Sequence, residues 1–148
     1  MIRAPRIVIV EDEPDTLLML RLNLDAAGFE TSLAADGATA VRRITEEQPD
    51  LVLLDLMLPV MDGWAVLAEL QTWSRAPSVV VVSAKNTARD RVRATQLGAA
   101  AYVAKPFDMD ELLALLEEVS LDTGKVPAAP IRRPALEELP GLDGLEPA

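Results

Sequence analysis

Residues 50–63 read DLVLLDLMLPVMDG: a short aliphatic run, an acid at position 55, then a turn-rich stretch ending in Gly63. An unbroken aliphatic run, rather than an alternating one, suits a strand covered on both faces, as in a parallel sheet flanked by helices. An ionisable residue closing such a strand is hard to explain as packing, because Asp is seldom buried without a partner. Outward from this stretch the same pattern repeats. RIVIV (6–10) runs into Glu11 and Asp12, SVVVV (78–82) into Ser83, and AAYVA (100–104) into Lys105, while FETSLAA (29–35) supplies a fifth candidate strand.

Between the strands lie segments of helical length, roughly 14–27, 37–47, 63–73, 87–97 and 108–120. Asp36, Asp62 and Asn86 stand at N-cap places, Gly28 and Gly98 fall just past helix ends, and Asp108 with Glu111 reads as a capping box. Five strands alternating with five helices make an α/β fold, a doubly wound (βα)5 unit. Right-handed crossovers put helices on both faces and the ligand crevice at the carboxyl ends of the strands.

The 148-residue chain holds one domain of ordinary size. Fourteen Lys and Arg against 24 Asp and Glu give a net charge of −10, a field that repels nucleic-acid phosphates and anionic lipid. Direct nucleic-acid and membrane binding are therefore not expected. The chain has neither Cys nor His, which excludes disulfides, thiol chemistry and His-based catalysis or zinc binding. The N-terminal aliphatic run is too short for a secretion signal, so a cytoplasmic location is expected. Residues 122–148 hold 5 of the 11 Pro and 3 of the 7 Gly; we expect a domain over 1–121 and a disordered tail over 122–148. Leu136, Leu139, Leu142 and Leu145 recur in that tail at every third position.

Glu11, Asp12 and Asp55 thus converge on one sheet edge together with Ser83 and Lys105. Three carboxylates in one place repel one another unless a cation compensates them. Mg²⁺ suits oxygen ligands of this kind, commonly alongside a phosphate. Lys105 offers a point charge to a phosphoryl oxygen, and Ser83 a hydroxyl donor.

IVIVEDEPD, DLVLLDLMLPVMDGWAVL, VVVVSAK and AYVAKPF, in that order and at these spacings, resemble the signature segments of response-regulator receiver domains of two-component signalling. The resemblance covers about residues 5–120 and implies strand order 2-1-3-4-5, as in the flavodoxin-like folds. It also implies that Asp55 accepts a phosphoryl group from a phosphohistidine on a sensor histidine kinase or phosphotransfer protein. Asp12 and Asp55 would ligate Mg²⁺ directly, the Met57 main-chain carbonyl would join them, and Glu11 would act through water. Lys105 would pair with Asp55 and then with the phosphoryl group. Ser83 and Tyr102 would form the switch, the ring moving inward as Ser83 shifts and altering the surface of helix 4, strand 5 and helix 5. The Lys105–Pro106 peptide would be cis.

Met57 and Lys85 occupy positions that in this family tune water access to the acyl phosphate; an apolar shield and a second ammonium predict slow self-hydrolysis. The connection around Ser74–Pro77 looks trimmed. Helix 4 carries Arg89, Arg91 and Arg93 while helix 5 carries Asp108, Asp110, Glu111, Glu117 and Glu118 without a cation. These charges read as solvated helix faces, and they put the mixed-charge pairing of two receivers in doubt. The expectation is a stand-alone receiver that signals to an unknown downstream protein. It would not turn over a substrate beyond its own phosphorylation and slow dephosphorylation. Three alternatives remain: a phosphorylation-independent pseudo-receiver, a phosphorelay intermediate, and a phosphatase of the haloacid-dehalogenase type. The last needs an acid two residues after the nucleophile, where this chain has Met57.

Overall fold

A computed structural model describes residues 4–122. Its elements alternate as expected: β1 (Arg6–Val10), α1 (Pro14–Ala26), β2 (Glu30–Ala34), α2 (Gly37–Glu47), β3 (Leu51–Leu54), α3 (Gly63–Gln71), β4 (Ser78–Ser83), α4 (Ala88–Gln96), β5 (Ala101–Ala104) and α5 (Met109–Asp122). The strands form one sheet, ordered β2-β1-β3-β4-β5, with every pairing parallel. Each sequence-read element is present, β1 and α2 with the bounds expected and the others with one or both ends moved by at most two residues. Helix α5 runs one residue into the expected tail; residues 123–148, with their leucine pattern, lie outside the described residues.

The unbroken aliphatic runs have the predicted cause. Val8, Val10, Val52, Leu54, Val79 and Val81 pack on one face with Ile44, Val66, Leu67 and Leu70 from α2 and α3. Their neighbours Ile7, Ile9, Leu51, Leu53, Val80 and Val82 pack on the other face with Leu20, Leu24, Leu112 and Leu116 from α1 and α5. Successive residues of a strand point to opposite faces, so a strand covered on both sides must be apolar throughout. Each fully buried aliphatic side chain contributes about 1.5–3 kcal/mol.

The caps fix where each helix meets the sheet. Asp36 and Asp62 accept the N–H groups of Thr39 and Ala65 at 2.7 and 2.9 Å. Asp108 accepts the Glu111 N–H at 3.0 Å, the forward half of the expected box. Gly28 and Gly98 have φ of +99° and +95° and follow α1 and α4 in Schellman turns, with Phe29 N–H on the Leu24 carbonyl and Ala99 N–H on that of Ala94. The expected cap Asn86 is corrected. Thr87 caps α4, its hydroxyl accepting the Asp90 N–H at 3.1 Å while Asp90 takes the Thr87 N–H in return. Asn86 instead accepts from Arg91 Nε at 2.8 Å. A reciprocal box satisfies two orphan donors where a lone Asn satisfies one.

The connection from α3 to β4 is six residues, 72–77. Lys105–Pro106 is cis. Among the described residues, no helix is long and apolar enough to cross a membrane.

Candidate functional site

Parallel strands end on one edge of the sheet, and that edge carries the residues singled out above. Glu11 follows β1, Asp55 follows β3, Ser83 ends β4 and Lys105 follows β5. Main-chain bonds hold these ends in step: Glu11 N–H on the Ala34 carbonyl, Asp55 N–H on that of Val10, and Lys105 N–H on that of Ser83.

Lys105 Nζ lies 2.7 Å from Glu11 Oε1 and 2.9 Å from Asp55 Oδ2, so one ammonium bridges two carboxylates. Both acids are buried, at 3% and 6% exposure, and Asp12 beside them is exposed. Carboxylate oxygens of Glu11, Asp12 and Asp55 lie within 4.8 Å of one another, close enough to hold one metal ion. The donor set is all oxygen and includes an exposed member, which fits a hard cation such as Mg²⁺ that keeps part of its hydration shell.

The remaining oxygens of the two buried acids are engaged. Asp55 Oδ1 accepts the Met57 N–H at 2.9 Å, and Glu11 Oε2 accepts that of Glu13 at 3.1 Å. Burial pushes the Glu11 carboxyl above the ordinary carboxylate range, and the nearby Asp55 charge adds to this; the hydrogen bonds from Lys105 and Glu13 oppose it and lose. Burial also works against the Lys105 ammonium, but its bonds to Asp55 and Glu11 outweigh that and hold its pKa above the usual lysine value. One cation shared by two buried acids therefore stays charged yet does not fully compensate Glu11.

Ser83 is fully buried, and its Oγ accepts the Lys85 N–H at 3.1 Å. The Tyr102 hydroxyl donates to the Lys85 carbonyl. Tyr102 is half-buried against the α3-side core, and burial raises its pKa. Residues 83, 85 and 102 are thus tied through one loop. The site is open on its α3 side, where Met57, 54% exposed, lines a groove of about 490 Å³ with Asp62, Trp64, Lys85 and Arg93.

Three features escaped the sequence reading. Gly63 is more than a helix start, because α3 presses there on the acidic strand end: a Cβ would meet the Asp55 main-chain oxygen and come 2.5 Å from the Leu56 Cα. A glycine at the first position of a helix, where most residues serve, was the available signal. The arginines of α4 are not simply solvated: the Arg91 guanidinium stacks on Tyr102 at 5.0 Å, and that of Arg93 on Trp64 at 4.1 Å. Val60 has φ +68° at the centre of a γ-turn closed by Met61 N–H on the Pro59 carbonyl at 2.8 Å.

An acidic cluster, a bridging lysine and a buried hydroxyl at the carboxyl edge of a 2-1-3-4-5 sheet define a receiver, the phosphorylation-dependent switch of two-component signalling. The chain belongs to the family described as the response regulator receiver domain, whose profile matches residues 7–117. It is 43% identical over 132 residues to the transcriptional regulatory protein KdpE of Mycobacterium tuberculosis, covering 88% of this chain and 57% of that protein. It is 41% identical to PrrA of Mycobacterium leprae over 76% of this chain and 48% of that one. Among solved structures it is similar to a CheY-like receiver from Methanospirillum hungatei, at 26% identity and a TM-score of 0.78, covering 82% of this chain and 97% of that one. The chain spans about half the length of the curated relatives it matches. These relatives are named as transcriptional regulators, and they lend no support to the stand-alone expectation.

Proposed function

We propose that Asp55 is the phosphoacceptor and that the donor is a phosphohistidine on a sensor histidine kinase or phosphotransfer protein. A carboxylate oxygen of Asp55 attacks phosphorus, an O–P bond forms, and the P–N bond to the donor imidazole breaks with its electron pair returning to nitrogen. The product is an acyl phosphate. Lys105 pairs with Asp55 beforehand and follows the transferred group, while Ser83 donates to one of its oxygens. Mg²⁺ would be held by Asp12, Asp55 and the Met57 carbonyl, with Glu11 acting through water, and would supply positive charge against the phosphoryl oxygens. Tyr102 moves with Ser83, and the face made by α4, β5 and α5 carries the signal to a protein partner in the cytoplasm. The functional unit is residues 1–121, followed by the 122–148 tail. Beyond its own phosphorylation and slow self-dephosphorylation the protein turns nothing over, and Met57 and Lys85 set how slow that loss is.

The observation that supports this reading best is the Lys105 bridge to Glu11 and Asp55, at 2.7 and 2.9 Å, beside the shared cation site. Incubation with acetyl phosphate, with and without Mg²⁺, tests it by intact mass. One phosphoryl adduct that requires Mg²⁺ and disappears in Asp55→Asn is the expected result; an adduct of equal yield in Asp55→Asn would overturn the assignment.

A further inference from the structure

Helix α4 buries a single residue, Ala94, in the core, whereas α3 buries Gly63, Val66, Leu67 and Leu70. So little burial fixes a helix weakly, and its position then depends on side-chain contacts at its flanks. Gln71 Nε2 of α3 donates to the Gln96 carbonyl at the end of α4 at 3.1 Å, and two ring contacts lie nearer the site, one on each side: Arg91 over the Tyr102 ring of β5 and Arg93 over the Trp64 ring of α3. The Arg91 contact belongs to the Tyr102 switch already described. The Arg93 contact leads to the phosphoacceptor by a separate route.

Trp64 follows Gly63, whose N–H donates to the Leu56 carbonyl at 2.9 Å and whose missing Cβ lets α3 lie against the Asp55 main chain. Trp64 packs on the α3-side core, so its ring is carried by that helix start. On the far side, Arg93 and Lys85 border the groove lined by Leu56 and Met57, the residues that follow Asp55. The ring and the guanidinium therefore close a chain of contacts from the Asp55 backbone to α4 that bypasses Ser83 and Tyr102.

We propose that Trp64 and Arg93 are a positioning pair: a clamp that ties α4 to the phosphoacceptor strand and holds the arrangement in which Lys105 pairs with free Asp55. This rests on the phosphorylation switch proposed above. Phosphorylation shifts α4 and opens the clamp; removing the clamp favours the phosphorylated arrangement. Stacking of this kind at an exposed site changes an equilibrium by about two- to fivefold. The planar guanidinium matters as well as the charge, so Lys at position 93 restores only part of the effect.

The test uses the full chain in a Trp73→Phe background, which leaves Trp64 as the sole indole, since the sequence has two Trp. Trp64 emission is followed during reaction with acetyl phosphate and Mg²⁺, with the adduct counted by intact mass in parallel. The emission should change as the adduct forms. Arg93→Ala should abolish that change and accelerate adduct formation by about two- to fivefold, while Arg89→Ala on the same helix should do neither. In the original Trp73 background Trp64→Leu should accelerate the reaction as Arg93→Ala does, and the double variant should go no further. An Arg93→Ala protein whose Trp64 emission still responds as before, or additive effects in the double variant, would overturn the clamp while leaving the switch standing. No adduct in the parent protein would overturn the switch, and the clamp with it.

Discussion

Replacing Gly63 with Ala probes how tightly the start of α3 is pressed on the phosphoacceptor strand. The added Cβ would meet the Asp55 main-chain oxygen and lie 2.5 Å from the Leu56 Cα, where carbon atoms ordinarily sit about 3.5–4.0 Å apart. The obstacles are backbone atoms, so a helix or a strand end must shift by about 1 Å to restore contact distance. That shift removes the Gly63 N–H bond to the Leu56 carbonyl, worth about 1 kcal/mol. It also disturbs Leu56, Val66 and Leu67, none more than 1% exposed, at an overpacking cost of about 1–3 kcal/mol. The better helix propensity of Ala returns at most about 1 kcal/mol. The net loss is about 1–3 kcal/mol, read from urea titrations of both proteins at a common m-value. Because the shift reaches the Asp55 carbonyl, the rate of phosphorylation by acetyl phosphate should fall as well. A Gly63→Ala protein within about 0.5 kcal/mol of the parent, phosphorylated at the parent rate, would refute the close approach.

Other perturbations bear on other parts of the account. Val60 is 86% exposed and holds a positive φ that costs an L-residue about 1–2 kcal/mol; after the extra entropy of glycine, Val60→Gly should still raise stability by about 0.5–1 kcal/mol in urea. Burial raises the Glu11 pKa above 4.5, so in Mg²⁺-free buffer its stabilising contribution is complete below the unfolded value and is lost as pH rises through the folded one. Glu11→Gln should remove that loss, and parallel stability–pH profiles for the two proteins would count against it. The same proton competes with the metal: saturating Mg²⁺ should raise Tm at pH 7, by about 2.7 kcal/mol of stability at a hundredfold excess over Kd, with less gain as pH falls toward the Glu11 pKa. An equal gain at both pH values would show that Glu11 takes no part. Lys85→Ala should shorten the lifetime of the phosphorylated protein several-fold, followed by loss of the adduct in intact mass; an unchanged lifetime would remove Lys85 from the tuning role.

The sheet was legible because its physics is one-dimensional. A strand buried on both faces must be aliphatic along its whole length, and LVLL at 51–54 is buried at all four positions. Chain direction then brings Glu11, Asp55, Ser83 and Lys105 to one edge without knowledge of any tertiary distance. The strand order needed the family resemblance, since periodicity says nothing of which strands are neighbours. At the start of α4, Asn86 and Thr87 are both good caps, and only the acid three residues after Thr87, Asp90, distinguishes them. The Arg91–Tyr102 and Arg93–Trp64 stacks join residues 11 and 29 positions apart, counting 102 − 91 and 93 − 64, and no local pattern encodes them. The left-handed Val60 runs against the preference of a β-branched residue, so sequence argued for the wrong conformation there.

The central claim is that a phosphoryl group resides on Asp55. Hydroxylamine attacks the carbonyl carbon of an acyl phosphate, releases phosphate and leaves a stable hydroxamate that peptide fragmentation can locate. After reaction with acetyl phosphate and Mg²⁺, the hydroxamate should be found at Asp55 alone and should be absent when Mg²⁺ is withheld. A hydroxamate at Glu11 or Asp12 would contradict the account.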